Sequence, residues 1–453
     1  MHSDPGSRAI IMLESFYGTI LSIVGVIYKK IFHEEMSVDV KTFFGSISYV
    51  TIGTMIGTLF SFSFNILSGR ILGPEGYGQF TLLQSIGMIL YIPMLFGVHT
   101  ALIKYTAEKT DGLRQRIILS SSFLMVLLFT GISLLIFVVF ANLISAIFSI
   151  SIEIYWLGVI FAVLFVFYTL TTSALLGLNK MKQYALTQPI FSFLMLATFL
   201  ILILLRQFNY LSMVYAMYLA YGFTAFGILI FLRQYLRFEV DRPWMKTLFR
   251  FSTAAMMGCV CFTIYTNVGK LMINYYMSVE QVGIYGVYYY ASFTVVGLIT
   301  GIFTTVFFPT VSKYKDLRSI YKKLNTMVVY YILLGIPFVV VFEVVILQLF
   351  GAQYPMIPAL MLLFALTAML VTGYGMYQWL FNAEGIRGAH LALTNEIMIT
   401  VLNLVLNILL IPHYGLYGAI GATAIAFTIG IIGFYFRGNK LQGSPDTPST
   451  DQL

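Results

Sequence analysis

The sequence predicts an all-α polytopic membrane protein, with twelve transmembrane helices in two six-helix lobes related by a parallel repeat and an N-terminal interfacial helix ahead of them. Three observations predict it. Of 453 residues, 59% are hydrophobic and 10% charged, with a mean hydropathy of +0.89. A soluble domain carries roughly 25% charged residues, because its surface must face water. Basic residues fall on alternate connections between apolar runs, and landmarks recur at an offset of 205 positions. No connector is long enough to fold alone, which excludes a soluble catalytic or nucleic-acid module.

A bilayer core takes about 20 apolar residues per helix. Twelve windows meet that length: 45–68, 80–103, 117–139, 155–178, 185–205, 211–232, 251–276, 284–309, 326–349, 357–380, 389–410 and 414–436. Ahead of them, residues 9–28 are apolar enough to cross, yet carry Glu14 and run into Lys29 and Lys30. This stretch reads as an interfacial helix; a thirteenth span with an external N-terminus is the alternative. No cleavable leader is expected, since the first eight residues are polar and no A-x-A-like site follows. The units expected are a tail at 1–41, lobes at 42–240 and 241–440, and a polar tail at 441–453.

With these windows drawn, 22 of the 26 Lys and Arg residues fall on one side, against Arg70 and Arg206 on the other. That bias places the basic loops and the C-terminus in the cytoplasm of a multi-pass cell-membrane protein. It also accounts for the net charge of +8 without a nucleic-acid partner. Cys259 and Cys261 lie two apart inside one window, so they point to different helix sides and suit neither a disulfide nor a metal pair.

The repeat shows in three places. GPEGYGQF at 73–80 and SVEQVGIY at 278–285 link the first two windows and the seventh and eighth, with Glu75 and Gly78 each 205 before Glu280 and Gly283. Asp111 precedes Asp316 by 205, and Arg233 precedes Arg437 by 204. Six spans per unit is even, so both copies share one orientation and are related by an axis along the membrane normal. Gly73 and Pro74 end the first helix, and Gly76 and Gly78 permit a tight turn.

The same segments carry a family resemblance. SGRILGPEGYGQF followed by ALIKYTAE is similar to the N-terminal signature of the polysaccharide biosynthesis proteins, the Wzx-type oligosaccharide flippases. These belong to the multidrug/oligosaccharidyl-lipid/polysaccharide exporter superfamily. VGIYGVYYYASF and VFFPTVSKYKDLRSIYKKLN resemble the start of its second lobe, and NLVLNILLIPHYGLYGAIGATAIA its last helices. The resemblance covers about residues 45–437. It implies a central cavity and passage of a polyprenyl-(pyro)phosphate-linked oligosaccharide from the cytoplasmic to the outer leaflet. One position departs from the family: in TNVGKLMINYY, Gly269 stands where many members place an acid before the retained Lys270, so that ion pair is not implied here.

Charges inside spans are costly, roughly 2.5–3.5 kcal/mol at a helix centre, so each is a functional candidate. Lys270 and its counterpart 205 earlier, Asn65, would face each other across the pseudo-twofold axis and suit an anionic headgroup. Alternatively Lys270 snorkels to the outer headgroups. Arg70 and Lys104 fall in the family-like motifs and are either substrate contacts or lipid-phosphate anchors. Glu343 reads as a solvated interfacial carboxylate, or else as a proton- or sodium-coupling site. Glu396, Asn403 and Asn407 share one helix face, which lines the cavity or hydrogen-bonds a neighbouring helix. Tyr288, Tyr289 and Tyr290 face lipid or stack on sugar rings.

GLYGAIGA at 415–422 is no nucleotide loop, since it opens a membrane helix with no strand before it; its small residues suit close packing. No cofactor, metal or catalytic residue is expected. The expected partners are a lipid-linked oligosaccharide, membrane lipids and H+ or Na+, with the chain acting as a monomer, alone or beside glycan-assembly enzymes. Two other functions remain open: a cation-coupled multidrug antiporter, disfavoured because spans one to six hold no carboxylate, and a membrane-integral glycan polymerase or transferase, disfavoured by the short loops.

Overall fold

The computed structural model describes residues 38–108, 111–236, 241–294, 296–297, 317–383 and 386–442. The interfacial helix expected at 9–28, residues 298–316 and the tail from 443 lie outside the described residues. Among the described residues every regular element is helical. In chain order they are α1 (Val38–Leu95), α2 (Val98–Glu108), α3 (Gly112–Val139), α4 (Ala141–Ile147), α5 (Ile152–Gly177) and α6 (Met181–Leu204). There follow α7 (Tyr210–Leu232), α8 (Arg242–Tyr276), α9 (Val279–Tyr289), a π turn (Tyr290–Thr294), α10 (Leu317–Phe350), α11 (Pro358–Ala383) and α12 (Ile386–Gln442).

Nine helices among the described residues are long and apolar enough to cross a membrane. Two are far too long to cross it once: α1 has 58 residues and α12 has 57, each about 85 Å if straight, against a hydrocarbon core of about 30 Å. Both are hairpins. Gly73 (φ 72°, ψ 178°) and Gly415 (φ 55°, ψ −128°) break the helical path in backbone regions that an L side chain resists. After Gly73, Pro74 suits the start of the next arm, because a first helical turn needs no N–H from it. The reversal is direct: the Phe64 and Phe80 ring centroids lie 6.1 Å apart, and Tyr77 Oη donates to Asn65 Oδ1 at 3.0 Å. In α12, Asn395 Nδ2 donates to the Gly430 carbonyl at 2.9 Å across the bend. The first bend falls in the expected link, and the second at the start of the last window.

Local sequence sets most other ends. Asp111 Oδ1 accepts from Leu113 N at 3.0 Å, Ser151 Oγ from Ile154 N at 3.2 Å and Ser278 Oγ from Gln281 N at 3.3 Å. These are N-caps that satisfy donors a helix start leaves free. Two features depart from the expected windows. The span expected at 80–103 is broken at Phe96 (φ 49°) and Gly97 (φ 70°), so that α2 is offset from the second arm of α1. A short helix, α4, lies between the third and fourth spans, where no element was foreseen.

Large apolar side chains point outward all round: Leu135, Val139 and Leu204 are 71–82% exposed. Facing lipid, such a surface costs nothing, and every backbone group is satisfied within its helix. Inside, several hydroxyls turn back on their own helix, as Ser85 Oγ donating to the Thr81 carbonyl at 2.8 Å and Thr367 Oγ1 to that of Leu363 at 2.6 Å, while others, such as those of Ser121 and Ser192, have no partner among the described residues. In chain order α1–α7 make up the first half of the chain and α8–α12 the second, and α8 packs against both α1 and α12.

Candidate functional site

The two halves meet closely at the end of the bundle that carries the Gly73 and Gly415 turns. The second arm of α1 crosses α9 there through a pair of glycines. A Cβ on Gly78 would overlap the Val279 carbonyl oxygen, and one on Gly283 would overlap that of Pro74. Pro74 and Val279, like Gly78 and Gly283, are 205 apart. The contact therefore exchanges with itself when the two segments are swapped, as a twofold-related pair requires. Around it, Gln353 Nε2 donates to the carbonyls of Gly69 (3.1 Å) and Arg70 (2.9 Å), and Tyr354 Oη to that of Gly69 (3.0 Å). Asn274 Nδ2 donates to the Ser149 carbonyl at 2.9 Å. These bonds take up carbonyls that a helix end or loop would otherwise leave without partners.

At the opposite, basic end the hydrogen bonds and ring contacts between halves, among the described residues, come from α8 alone. Tyr105 meets Trp244 and Phe251 edge-on at 5.8 and 5.6 Å, and Phe96 stacks on Phe249 at 5.6 Å. Among the described residues, the halves thus converge at the turn end and touch at the basic end through α8.

Between these ends lies the candidate site. Lys270 is half-buried on α8, with Nζ 4.7 Å from the centroid of the Tyr289 ring and no ion pair among the described residues. Tyr289 in turn stacks on Phe293 at 4.2 Å. An aromatic face compensates a desolvated ammonium by about 2 kcal/mol, less than a full counter-ion would. On α12, the carbonyl oxygen Oδ1 of Asn407 is buried without a hydrogen-bond partner and lies 3.7 Å from where a Cβ on Gly269, one residue before Lys270, would stand. The region thus holds an ammonium without an anion and, against the preceding residue of α8, an acceptor without a donor. Buried polar groups are rarely left so.

Residues 44–315 match the polysaccharide biosynthesis protein family. The chain belongs to that family. Solved structures share the fold of this polysaccharide biosynthesis protein. An inward-facing multidrug-resistance MATE transporter of the MOP superfamily is 16% identical over 88% of this chain and 100% of its own, with a TM-score of 0.66. The lipid II flippase MurJ, in an inward closed conformation, is 17% identical over 87% of this chain and 88% of its own, with a TM-score of 0.67. A MOP-superfamily transporter from Pyrococcus furiosus is 15% identical over 88% and 97%, with a TM-score of 0.57. A comparison with curated proteins gives no match.

In this family member the residues singled out by sequence fall in four places. Lys270 and Asn407 lie at the central site. Asn65 forms no hydrogen bond with Lys270; its amide serves the first hairpin, accepting from Tyr77 and donating from Nδ2 to the Ser61 carbonyl at 2.8 Å. Arg70 sits at the turn end, where its backbone rather than its guanidinium joins the two halves. Lys104 sits at the basic end, 4.0 Å from Glu108 and 4.6 Å from the centre of the Phe251 ring.

The other polar groups are packed within the second half. Asn403 Nδ2 donates to Thr423 Oγ1 at 3.1 Å, which ties the two arms of α12 together, and Asn407 Nδ2 donates to Asn403 Oδ1 at 3.0 Å within the first arm. Of the two readings of that face, helix-to-helix bonding holds for Asn403. Glu396 accepts from Gln378 Nε2 at 3.0 Å. Glu343 corrects the sequence expectation of a solvated carboxylate: it is fully buried, and both oxygens lack partners. The span carrying it packs against α11 and the π turn. Tyr288 is also structural, since its hydroxyl donates to the Pro355 carbonyl at 2.5 Å and accepts from Ile357 N at 2.9 Å. Sequence reasoning missed the bonds from Gln353 and Tyr354, because loop side chains carry no periodic signal, and that from Asn274, because its acceptor lies in a loop of the other half.

Proposed function

We propose that this chain is a flippase that moves a polyprenyl-(pyro)phosphate-linked oligosaccharide from the cytoplasmic to the outer leaflet. The observation that carries the reading is Lys270, an ammonium within the membrane-spanning region, between the halves, with no anion beside it. A group in that position attracts a mobile anion more strongly than a solvated lysine does, because its field is less screened. A phosphate of the cargo supplies that charge, and the Asn407 oxygen accepts from a sugar hydroxyl. The lipid tail stays in the bilayer between the lobes. The proposed lobes are 42–240 and 241–440, each of six spans, twelve in all, and the self-exchanging glycine contact supports a parallel repeat. With the basic end cytoplasmic, closure at the turn end corresponds to an inward-facing state, and transport consists of one lobe rocking against the other.

Transport of a radiolabelled lipid-linked oligosaccharide across vesicles containing the purified chain tests this. Transfer dependent on the protein supports it, and transfer equal to empty vesicles removes it. Orientation has its own test: single cysteines at positions 108 and 280 are expected to react with an impermeant maleimide from opposite faces of the membrane. Labelling of both from one face overturns the two-lobe arrangement.

We infer that the energy comes from a cation gradient acting through the second half. Glu343 supports this, since a carboxylate buried without a donor requires a proton or a metal cation beside it. Glu343→Gln is expected to leave the protein folded and make transport insensitive to imposed proton and sodium gradients. Full gradient dependence in that variant, with normal expression, would remove Glu343 from coupling. Drug efflux driven by such a gradient would instead favour the antiporter reading.

A further inference from the structure

We propose that the first half carries a separate lipid site, a groove that selects an anionic glycerophospholipid from the leaflet at the basic end. The groove runs between α3, α5 and α7, holds about 560 Å³ and is lined by Leu124, Leu127, Phe167, Gly222, Phe226 and Arg233, among others. Its walls face lipid, since Leu127 and Phe226 are exposed. At about 30 Å³ per water-sized unit, this is space for roughly eighteen units, most of one acyl chain. Its depth comes from a missing side chain: a Cβ on Gly222 would meet only Leu164 Cδ2, at 4.0 Å.

Charge decides the occupant. Arg233 is exposed at the C-terminal end of α7 and lines the mouth. Arg116 lies four residues before Ser120, another lining residue, and so on the same face of α3 one turn nearer the basic end. Neither arginine is in an ion pair among the described residues. One guanidinium in the wall of an apolar slot, with a second arginine one turn further along the same face of α3, matches a phosphate headgroup over an acyl chain. The groove on the other flank of α7 is smaller, about 240 Å³, and its own lining, Leu186, Ile190, Phe223 and Gly227 among others, holds no charged residue, whereas Arg233 is part of the first groove's wall. The site is distinct from the cargo path, because α5 stands between the groove and α1, with Gly158 packed against the Gly87 segment.

Titration of the full chain with phosphatidylglycerol or phosphatidylcholine of identical acyl chains, read by native mass spectrometry, tests the site. One phosphatidylglycerol is expected to bind about fivefold or more tighter, the contribution of one or two basic side chains near a membrane surface. Arg116→Gln with Arg233→Gln removes the preference and keeps phosphatidylcholine binding. Gly222→Leu fills the slot and weakens both lipids. Equal affinity for the two lipids in the native chain, or a preference that survives the double substitution, overturns the site. Displacement of phosphatidylglycerol by an equal concentration of a polyprenyl phosphate overturns the choice of occupant.

Discussion

Lys270→Met lowers transport of a lipid-linked oligosaccharide at least tenfold, by about 1.5–3 kcal/mol of lost charge-assisted bonding, while Lys270→Arg keeps most of it. The direction follows from the surroundings on α8. The ammonium has the Tyr289 ring at 4.7 Å and no carboxylate among the described residues, so any anion it pairs with must arrive with the cargo. Methionine matches the stem in length and is apolar, so it fits between the halves without a cavity. Removing an uncompensated charge from a poorly solvated place does not destabilise the fold. The melting temperature of Lys270→Met is therefore expected to equal or exceed that of the native chain, which separates a transport defect from misfolding. If the arginine variant fails as badly as methionine while melting normally, position 270 demands a lysine for some reason other than charge. If methionine transports at the native rate, Lys270 is no part of the path.

Gly78→Leu opens the turn end. A side chain there overlaps the Val279 backbone oxygen, and backbone within a helix cannot move aside as a flexible side chain can. Overpacking of this kind costs about 1–3 kcal/mol, charged only to the state in which the two segments touch. The conformational balance then shifts about fivefold or more toward separated segments. A cysteine at Ser68, buried on the first arm of α1 one turn before the Gly73 bend, is expected to react correspondingly faster with an impermeant maleimide added at the turn end. Gly283→Leu, its partner in the exchange, is expected to give the same result against Pro74. Transport falls in both, because the turn end no longer closes. Unchanged labelling of Ser68→Cys in both variants would show that this contact does not gate access.

These two positions illustrate how unevenly a site can be read. Gly78 and Gly283 were visible as a pair through their common offset, and the structure places them against each other's segment. Lys270 was visible as a charge inside an apolar window. Its neighbours were not. The offset pointed to Asn65, but folding the first hairpin spends that amide on Tyr77 and Ser61. Asn407 lies against Gly269 because α8 and α12 pack within one half, a pairing no repeat encodes. Glu343 was misread as solvated because its depth depends on which neighbours close over it.

The sequence alone determined the number of apolar runs, the points where the chain reverses and the alternation of charge, since each is local. A run of about 20 apolar residues must cross, a glycine followed by proline bends it, and a basic cluster holds its end in place. The rotation of each helix about its own axis was left to the tertiary structure. In lipid, the inner and outer faces of a helix are both apolar, so the periodicity that marks the buried side of a soluble helix is faint here. Which polar groups meet, and which stay without partners, is settled only when the helices pack.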